Sequence, residues 1–202
     1  MTRLSKLDVI GLLQEHGAIV NGHFQLPSGL HSQTYVQTAL VLQYPNLAQK
    51  VAKAIAAKFP QEVDCCMSPA MGAVVIGQEV ARAKRSRAIF TERTGGAMAL
   101  RRDFKLDRGE RVLVVEDVLT TGRSTSEVVA LAQAYGAKVV GVAAIVDRST
   151  ASLPLAVPVR ALISYPLQVF PPSNCPLCAQ QVPVTVPGST TPANPPVPTD
   201  RE

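Results

Sequence analysis

Residues 111–125 read RVLVVEDVLTTGRST. An apolar run, Val112 to Val115, ends at two adjacent carboxylates, Glu116 and Asp117. Val118 and Leu119 follow, then Thr120, Thr121, Gly122, Arg123, Ser124 and Thr125. The β-branched run predicts a strand over 111–115, and the residues after the glycine predict a helix from Ser124 to Tyr135, stopped by Gly136. A helix N-terminus with several hydroxyls beside it is an anion cradle suited to a phosphate. Gly122 lets the backbone come close to a ligand. Two carboxylates would repel that phosphate unless they face something else, and vicinal sugar hydroxyls are the natural donors to them. The stretch therefore reads as a pocket for a ribose bearing a 5-phosphate. The plainer alternative is a helix cap with two surface acids, but the combined pattern is more specific than either half. Neither a GxGxxG fingerprint nor a P-loop lysine motif is present.

Outward from this stretch, helical periods and β-branched runs alternate. Leu7 to His16 reads as a helix ended by Gly17, and Asn46 to Phe59 as a stronger one that Asn46 can cap. Between them, Gly22, Pro27, Ser28 and Gly29 punctuate short strands and turns. Val63 to Met67 reads as a strand, the loop Ser68-Pro69-Ala70-Met71-Gly72 feeds a helix to about Arg82, and Arg87 to Thr91 is a further strand. Lys138 to Val146 is another, with Asp147 and Arg148 at its end. This alternation implies βαβ units: an α/β fold with a central, mostly parallel sheet flanked by helices. In such sheets ligands bind beyond the carboxyl ends of the strands. The Ser68–Gly72 loop, the Glu116–Thr125 stretch and the Asp147-Arg148 pair all fall there.

The chain has 202 residues, 47% of them hydrophobic, enough for one domain with an aliphatic core. Its net charge of +5 suits a phosphate-rich ligand as well as an ordinary solvated surface. No basic run long enough for a nucleic-acid tail is seen, and no apolar stretch long enough for a bilayer span. The first residues are not a secretory signal, so a cytoplasmic location with reduced cysteines is expected. Cys65 and Cys66 read as core. Cys175 and Cys178 form CPLC, which is half of a zinc site; no second CxxC or nearby His pair is evident to complete it, so a turn with two thiols is expected. Residues 171–202 hold nine of the sixteen prolines, which predicts an extended or disordered tail, set apart from a domain over 1–170. Truncation after Phe170 is accordingly expected to leave activity nearly intact.

VLVVEDVLTTGRST resembles the phosphoribosyl-diphosphate-binding motif of type I phosphoribosyltransferases. GHFQLPSGLHSQTYVQ, SPAMGAVVIGQEVA and AIFTERTGGAMALRRDF resemble segments of orotate phosphoribosyltransferases, in the same order. The resemblance spans about Leu7 to Tyr165. It implies the type I phosphoribosyltransferase fold with a small N-terminal hood, and formation of orotidine 5′-phosphate and diphosphate from orotate and phosphoribosyl diphosphate, a step of pyrimidine biosynthesis. It implies Mg²⁺ held through the substrate's own oxygens, with no direct protein ligand, and a homodimer that binds neither nucleic acid nor membrane.

By the same resemblance, Glu116 and Asp117 hold the ribose hydroxyls, and Asp117 steadies the developing cation. Thr121, Gly122, Arg123, Ser124 and Thr125 hold the 5-phosphate. Thr120 and Arg148 contact the orotate, as do Ser28, Gly29 and Tyr35; His31 and Ser32 also fit that segment. The basic segment Glu92 to Arg108 corresponds to a mobile catalytic loop, with Arg93, Arg101 and Arg102 as its catalytic candidates. Its glycines and the scarcity of apolar residues between Glu92 and Arg102 predict few core contacts without ligand. Two departures stand out. The loop carries arginines where relatives carry lysines, and Pro27 stands where many have Lys. A purine or uracil phosphoribosyltransferase would share the Glu116–Thr125 motif but not FQLPSGLHS. A non-enzymatic regulator that senses phosphoribosyl diphosphate is the other alternative, though no helix-turn-helix or basic arm is seen.

Overall fold

The structure is a computed structural model that describes residues 5–26 and 28–187. Pro27 and the last fifteen or so residues of the expected tail, 188–202, lie outside the described residues. The chain divides into two units: Met1–Ala18 with Val36–Pro166, and Ile19–Tyr35 with Leu167–Glu202.

In the first unit, α1 (Lys6–Glu15) starts at a capping box. The Ser5 hydroxyl accepts from the Asp8 N–H, and the Asp8 carboxylate accepts from the Ser5 N–H. After the second unit's first segment come α2 (Ala39–Leu42) and α3 (Pro45–Ala57), the latter opening on Pro45, with Tyr44 rather than Asn46 at the cap. Then follow β3 (Cys65–Pro69), α4 (Val74–Lys84), β4 (Arg87–Thr94), β5 (Ala97–Leu100), β6 (Arg111–Leu119), α5 (Arg123–Ala134), β7 (Lys138–Asp147) and β8 (Val159–Ser164). They make a six-stranded sheet in the order β5-β4-β3-β6-β7-β8. Every neighbouring pair is parallel except β4–β5. This is the expected α/β architecture.

The order fixes where a ligand can enter. From β3 the chain steps outward through α4 to β4, and from β6 it steps the other way through α5 to β7. Right-handed crossovers in opposite directions put α4 and α5 on opposite faces. The carboxyl ends of β3 and β6 therefore flank the topological switch point, the crevice where α/β sheets take ligands. Central strands covered on both faces read as continuous apolar runs. Cys65, Met67, Val112, Val114, Val142 and Ala144 pack with Val128, Val129 and Ala132 of α5. The alternate residues Cys66, Leu113, Val115, Ala143 and Ile145 are equally buried. Strand β6 runs four residues past the predicted end at Val115, because β7 continues beside it, pairing Glu116 with Ala144 and Leu119 with Asp147. Glu116 and Asp117 thus sit within a strand rather than after it.

The second unit joins β1 (Ile19–Gln25), β2 (His31–Val36) and β9 (Val169–Phe170) in the order β1-β2-β9. A 3-10 turn at Pro172–Asn174 and the short α6 (Pro176–Ala179) follow. This corrects the expectation of a structureless tail from residue 171. The prolines here occupy first helical turns, where a missing N–H costs nothing. Farther on, the Thr185 N–H donates to His23 O at 2.7 Å and the Gln25 N–H to Thr185 O at 2.9 Å, extending the edge of β1. The expected N-terminal hood is therefore built from both ends of the chain.

Candidate active site

Glu116 is buried in β6, and its Oε2 accepts from the Thr125 hydroxyl of α5 at 3.2 Å. Burial, and secondarily the neighbouring Asp117 charge, pushes its carboxyl well above the usual range. Asp117 reaches other partners. Its Oδ2 accepts from the Thr38 hydroxyl at 2.7 Å. A Cβ placed on Gly72 would stand 3.0 Å from that same oxygen. The loop after β3, whose Ala70–Met71 peptide is cis, so closes directly on the acid of β6. The question raised by two adjacent carboxylates has a geometric answer: Glu116 is tied to the first turn of α5, Asp117 to the Ser68–Gly72 loop and to Thr38.

Between them opens the N-terminus of α5. Its cap is Gly122, at φ +74°, a backbone conformation that favours glycine, and a Cβ there would also stand 3.0 Å from Leu153 Cδ2. No side chain caps the helix. The Thr121 hydroxyl accepts from the Arg123 N–H at 3.4 Å, a weak bond, so the first-turn N–H groups remain suited to an anion. Thr120, Thr121 and Arg123 are exposed and Ser124 half-buried, which leaves the predicted cradle open at its rim. Arg123 Nε donates to Glu127 Oε1 at 3.2 Å.

The structure also brings Arg148 to this end of the sheet. The Arg148 N–H donates to Leu119 O at 2.8 Å, one residue before Thr120, and the residue is buried. Asp147 is held by Ser149, whose N–H and hydroxyl both donate to Oδ1, at 2.9 and 2.6 Å. Ser28, Gly29 and Tyr35 belong to the second unit, as do His31 and Ser32.

The basic segment is a hairpin. Thr94 pairs with Ala97 around Gly95-Gly96, both at positive φ as a tight two-residue turn requires. The expectation of few core contacts is corrected: Met98, Leu100 and Phe104 are partly buried against the core. Met98, Ala99 and Leu100 are all half-buried in β5, so a segment that reads as basic and sparse in apolar residues still rests on the core. Arg93 pairs with Glu127 at 2.8 Å, the acid that also holds Arg123, and so links the hairpin to α5. Arg102 makes two hydrogen bonds to Glu92, at 3.1 and 3.0 Å, and lies 5.5 Å from the centre of the Phe90 ring. Arg101 is exposed and, among the described residues, makes no side-chain hydrogen bond or ion pair.

The sequence missed Thr38, and it placed the Ser68–Gly72 loop at the ligand end without the approach of Gly72 to Asp117, which lies far along the chain. It also missed a second cluster. His23, His31, Cys175 and Cys178 bring one ligand atom each within 4.8 Å of one another. The expectation that no His pair completes CPLC is thereby corrected. The two histidines come from β1 and β2, about 150 residues before the cysteines, beyond the reach of local spacing.

The phosphoribosyl transferase domain family matches residues 38–170. The chain belongs to this family. It is 44% identical over 187 residues to the orotate phosphoribosyltransferase of Caldicellulosiruptor bescii, covering 92% of this chain and 98% of that one. It is 44% identical over 191 residues to that of Heliobacterium modesticaldum, covering 93% of this chain and 100% of that one. Among solved structures, orotate phosphoribosyltransferase from Aeropyrum pernix superposes with a TM-score of 0.66 at 20% identity, over 77% of this chain and 93% of that one. These phosphoribosyltransferases share the fold. Among the described residues no helix is long and apolar enough to cross a membrane.

Proposed function

We propose that this phosphoribosyltransferase joins orotate to phosphoribosyl diphosphate, giving orotidine 5′-phosphate and diphosphate. Its near-full-length likeness to orotate phosphoribosyltransferases carries the proposal, and the cradle Glu116–Thr125 with Arg148 beside it supplies the chemistry. The 5-phosphate sits on the α5 N-terminus among the hydroxyls of Thr121, Ser124 and Thr125. The ribose hydroxyls donate to Asp117 and Glu116. Arg148 and Thr120 receive the orotate, for which a guanidinium fork suits the carboxylate.

The orotate ring nitrogen loses its proton without a strong base and attacks C1 of the ribose. The C1–O bond to the diphosphate breaks, and its electron pair leaves with the diphosphate. Between these events C1 carries oxocarbenium character, which the Asp117 charge stabilises. Catalysis is then mostly positioning and electrostatics. Asp117 beside the cradle would suit Mg²⁺ held through the substrate's own oxygens, and the ion would neutralise diphosphate charge. Arg101 closes on the diphosphate when it arrives and, with Arg93 and Arg102, screens the site from water.

Diphosphate release dependent on orotate and Mg²⁺ tests this. Adenine, hypoxanthine and uracil are expected to be poor substrates, and preference for any of them overturns it. A homodimer follows if the hairpin serves a neighbouring site. Heterodimers of Arg101→Ala with Asp117→Asn should then regain partial activity, and none regained would mean that each subunit closes its own site. Unbridged cysteines fit the cytoplasm, which cell fractionation checks.

A further inference from the structure

The cluster lies within the second unit and includes no residue of the Glu116–Thr125 cradle. Three of its nitrogen–sulfur distances are close to those of a metal site. His23 Nε2 lies 3.5 Å from Cys175 Sγ and 3.7 Å from Cys178 Sγ, and His31 Nδ1 lies 3.3 Å from Cys178 Sγ. Two nitrogens at about 2.0–2.1 Å and two sulfurs at about 2.3 Å from one tetrahedral zinc would stand about 3.6 Å apart, N to S. The two nitrogens, now 2.8 Å apart in a hydrogen bond between the rings, would separate to about 3.3 Å around the ion.

The tautomer of His23 is already set for ligation. Its Nδ1–H donates to the Val182 carbonyl at 2.7 Å, since a carbonyl can only accept. The Nε2 lone pair therefore points into the cluster, the orientation that an outer hydrogen bond gives a metal-bound imidazole. The cysteines form no disulfide.

Burial makes the same case. Among the described residues of this unit, the buried ones are His23, Phe24, His31, Ser32 and Cys175. Three of these five are cluster members, so the unit's interior is mainly polar groups rather than an apolar core. A small unit without such a core needs a staple, and buried imidazoles and thiols need partners.

We infer that His23, His31, Cys175 and Cys178 bind one structural zinc ion that holds β1, the start of β2 and the C-terminal segment together. Cys₂His₂ is a closed tetrahedral set, with no position left for water or substrate, which assigns the ion to structure rather than catalysis. Binding releases the thiol protons and leaves two thiolates and two neutral imidazoles on the metal.

Full-length protein, expressed without a histidine tag and dialysed against buffer with a weak chelator, should hold one zinc per chain by mass spectrometry of the metal. Mercurial titration of the thiols should release that zinc in step with loss of two fast-reacting thiols. Cys175→Ser and His31→Ala should each lower zinc to well under half of stoichiometry. Should those variants fail to fold, cobalt exchanged into the wild-type protein gives an independent readout. Tetrahedral cobalt with two thiolates shows intense visible bands and a thiolate charge-transfer band in the near ultraviolet. Metal-free wild-type protein with native stability, stoichiometric iron in place of zinc, or a Cys175–Cys178 disulfide would each overturn the assignment. None of these readouts depends on orotate turnover.

Discussion

The Thr38 hydroxyl donates a 2.7 Å hydrogen bond to Asp117 Oδ2, joining the chain before α2 to the acid within β6. Thr38 is fully buried, whereas Asp117 is half-buried. Thr38→Val keeps the shape and removes the donor. Stability should fall by about 1.5 kcal/mol, the low end for a bond to a charged acceptor, because water can reach Asp117 in its place. Turnover should fall about tenfold as the carboxylate loses its orientation. Thr38→Ser should restore both. Denaturant unfolding and steady-state kinetics check this, and unchanged turnover in Thr38→Val would remove Thr38 from the site.

Asp117→Asn separates charge from shape. If the charge acts on the oxocarbenium-like state, kcat should drop on the order of a hundredfold with KM for phosphoribosyl diphosphate little changed. A raised KM with intact kcat would assign Asp117 to uniform ribose binding.

Glu116 should be a site where function costs stability. Its carboxyl pKa is raised in the folded state, mainly by burial. As pH climbs above about 4.3, the unfolded chain releases this proton while the folded chain keeps it. Stability therefore falls with rising pH until the folded group also ionises, the reverse of a salt-bridged acid. Glu116→Gln removes that slope and can still accept from Thr125. It should melt higher than wild type at pH 7 and equal it near pH 4, while binding phosphoribosyl diphosphate more weakly. Melting curves across that range decide it; parallel curves for the two proteins would contradict it.

The three arginines of the hairpin region should differ. Arg101 has no partner among the described residues, so Arg101→Ala should lower turnover with the melting temperature nearly unchanged. Arg102 is engaged by Glu92 and lies over Phe90, and Arg93 by Glu127. Their alanine variants should lose stability as well as turnover. Equal melting temperatures for all three would show that the Glu92 and Glu127 contacts contribute nothing.

Truncation after Phe170 should now be damaging rather than neutral. It removes the Thr185 backbone bonds to β1, the Val182 carbonyl that holds His23 and both cysteine contacts to His23. A lowered melting temperature and protease sensitivity near residues 19–35 are expected. A truncated chain that melts and turns over like the full one would restore the tail to a dispensable segment.

Much of this was legible in the sequence, and the rest was hidden for stated reasons. The Glu116–Thr125 cradle announced itself because strand, turn and helix N-terminus are contiguous, so local rules suffice. The extension of β6 to Leu119 was not visible, since it depends on β7 running alongside. Thr38 and the approach of Gly72 to Asp117 were missed because the sheet order brings Asp117 to them. Met98 and Leu100 looked sparse in a basic segment, yet β5 pairs with β4 and both side chains are laid against the core. The C-terminal segment misled by composition: its prolines stiffen first turns and its polar atoms bind β1. CPLC looked like half a site because the other half lies near the opposite end of the chain.

That separation has a consequence for how the protein is made. His31 and Cys178 stand 147 residues apart. At about 5–20 residues per second, His23 and His31 are synthesised roughly 7–30 s before Cys178 exists. All of the six-stranded sheet is encoded in between, so it can close on the ribosome while β1 and β2 still wait for their C-terminal partners. The newborn chain thus passes through an interval in which two imidazoles are exposed without thiols to join them. Closure of the second unit therefore follows that of the sheet, and a ribosome that stalls before residue 175 releases a chain with its sheet complete and its smaller unit unclosed.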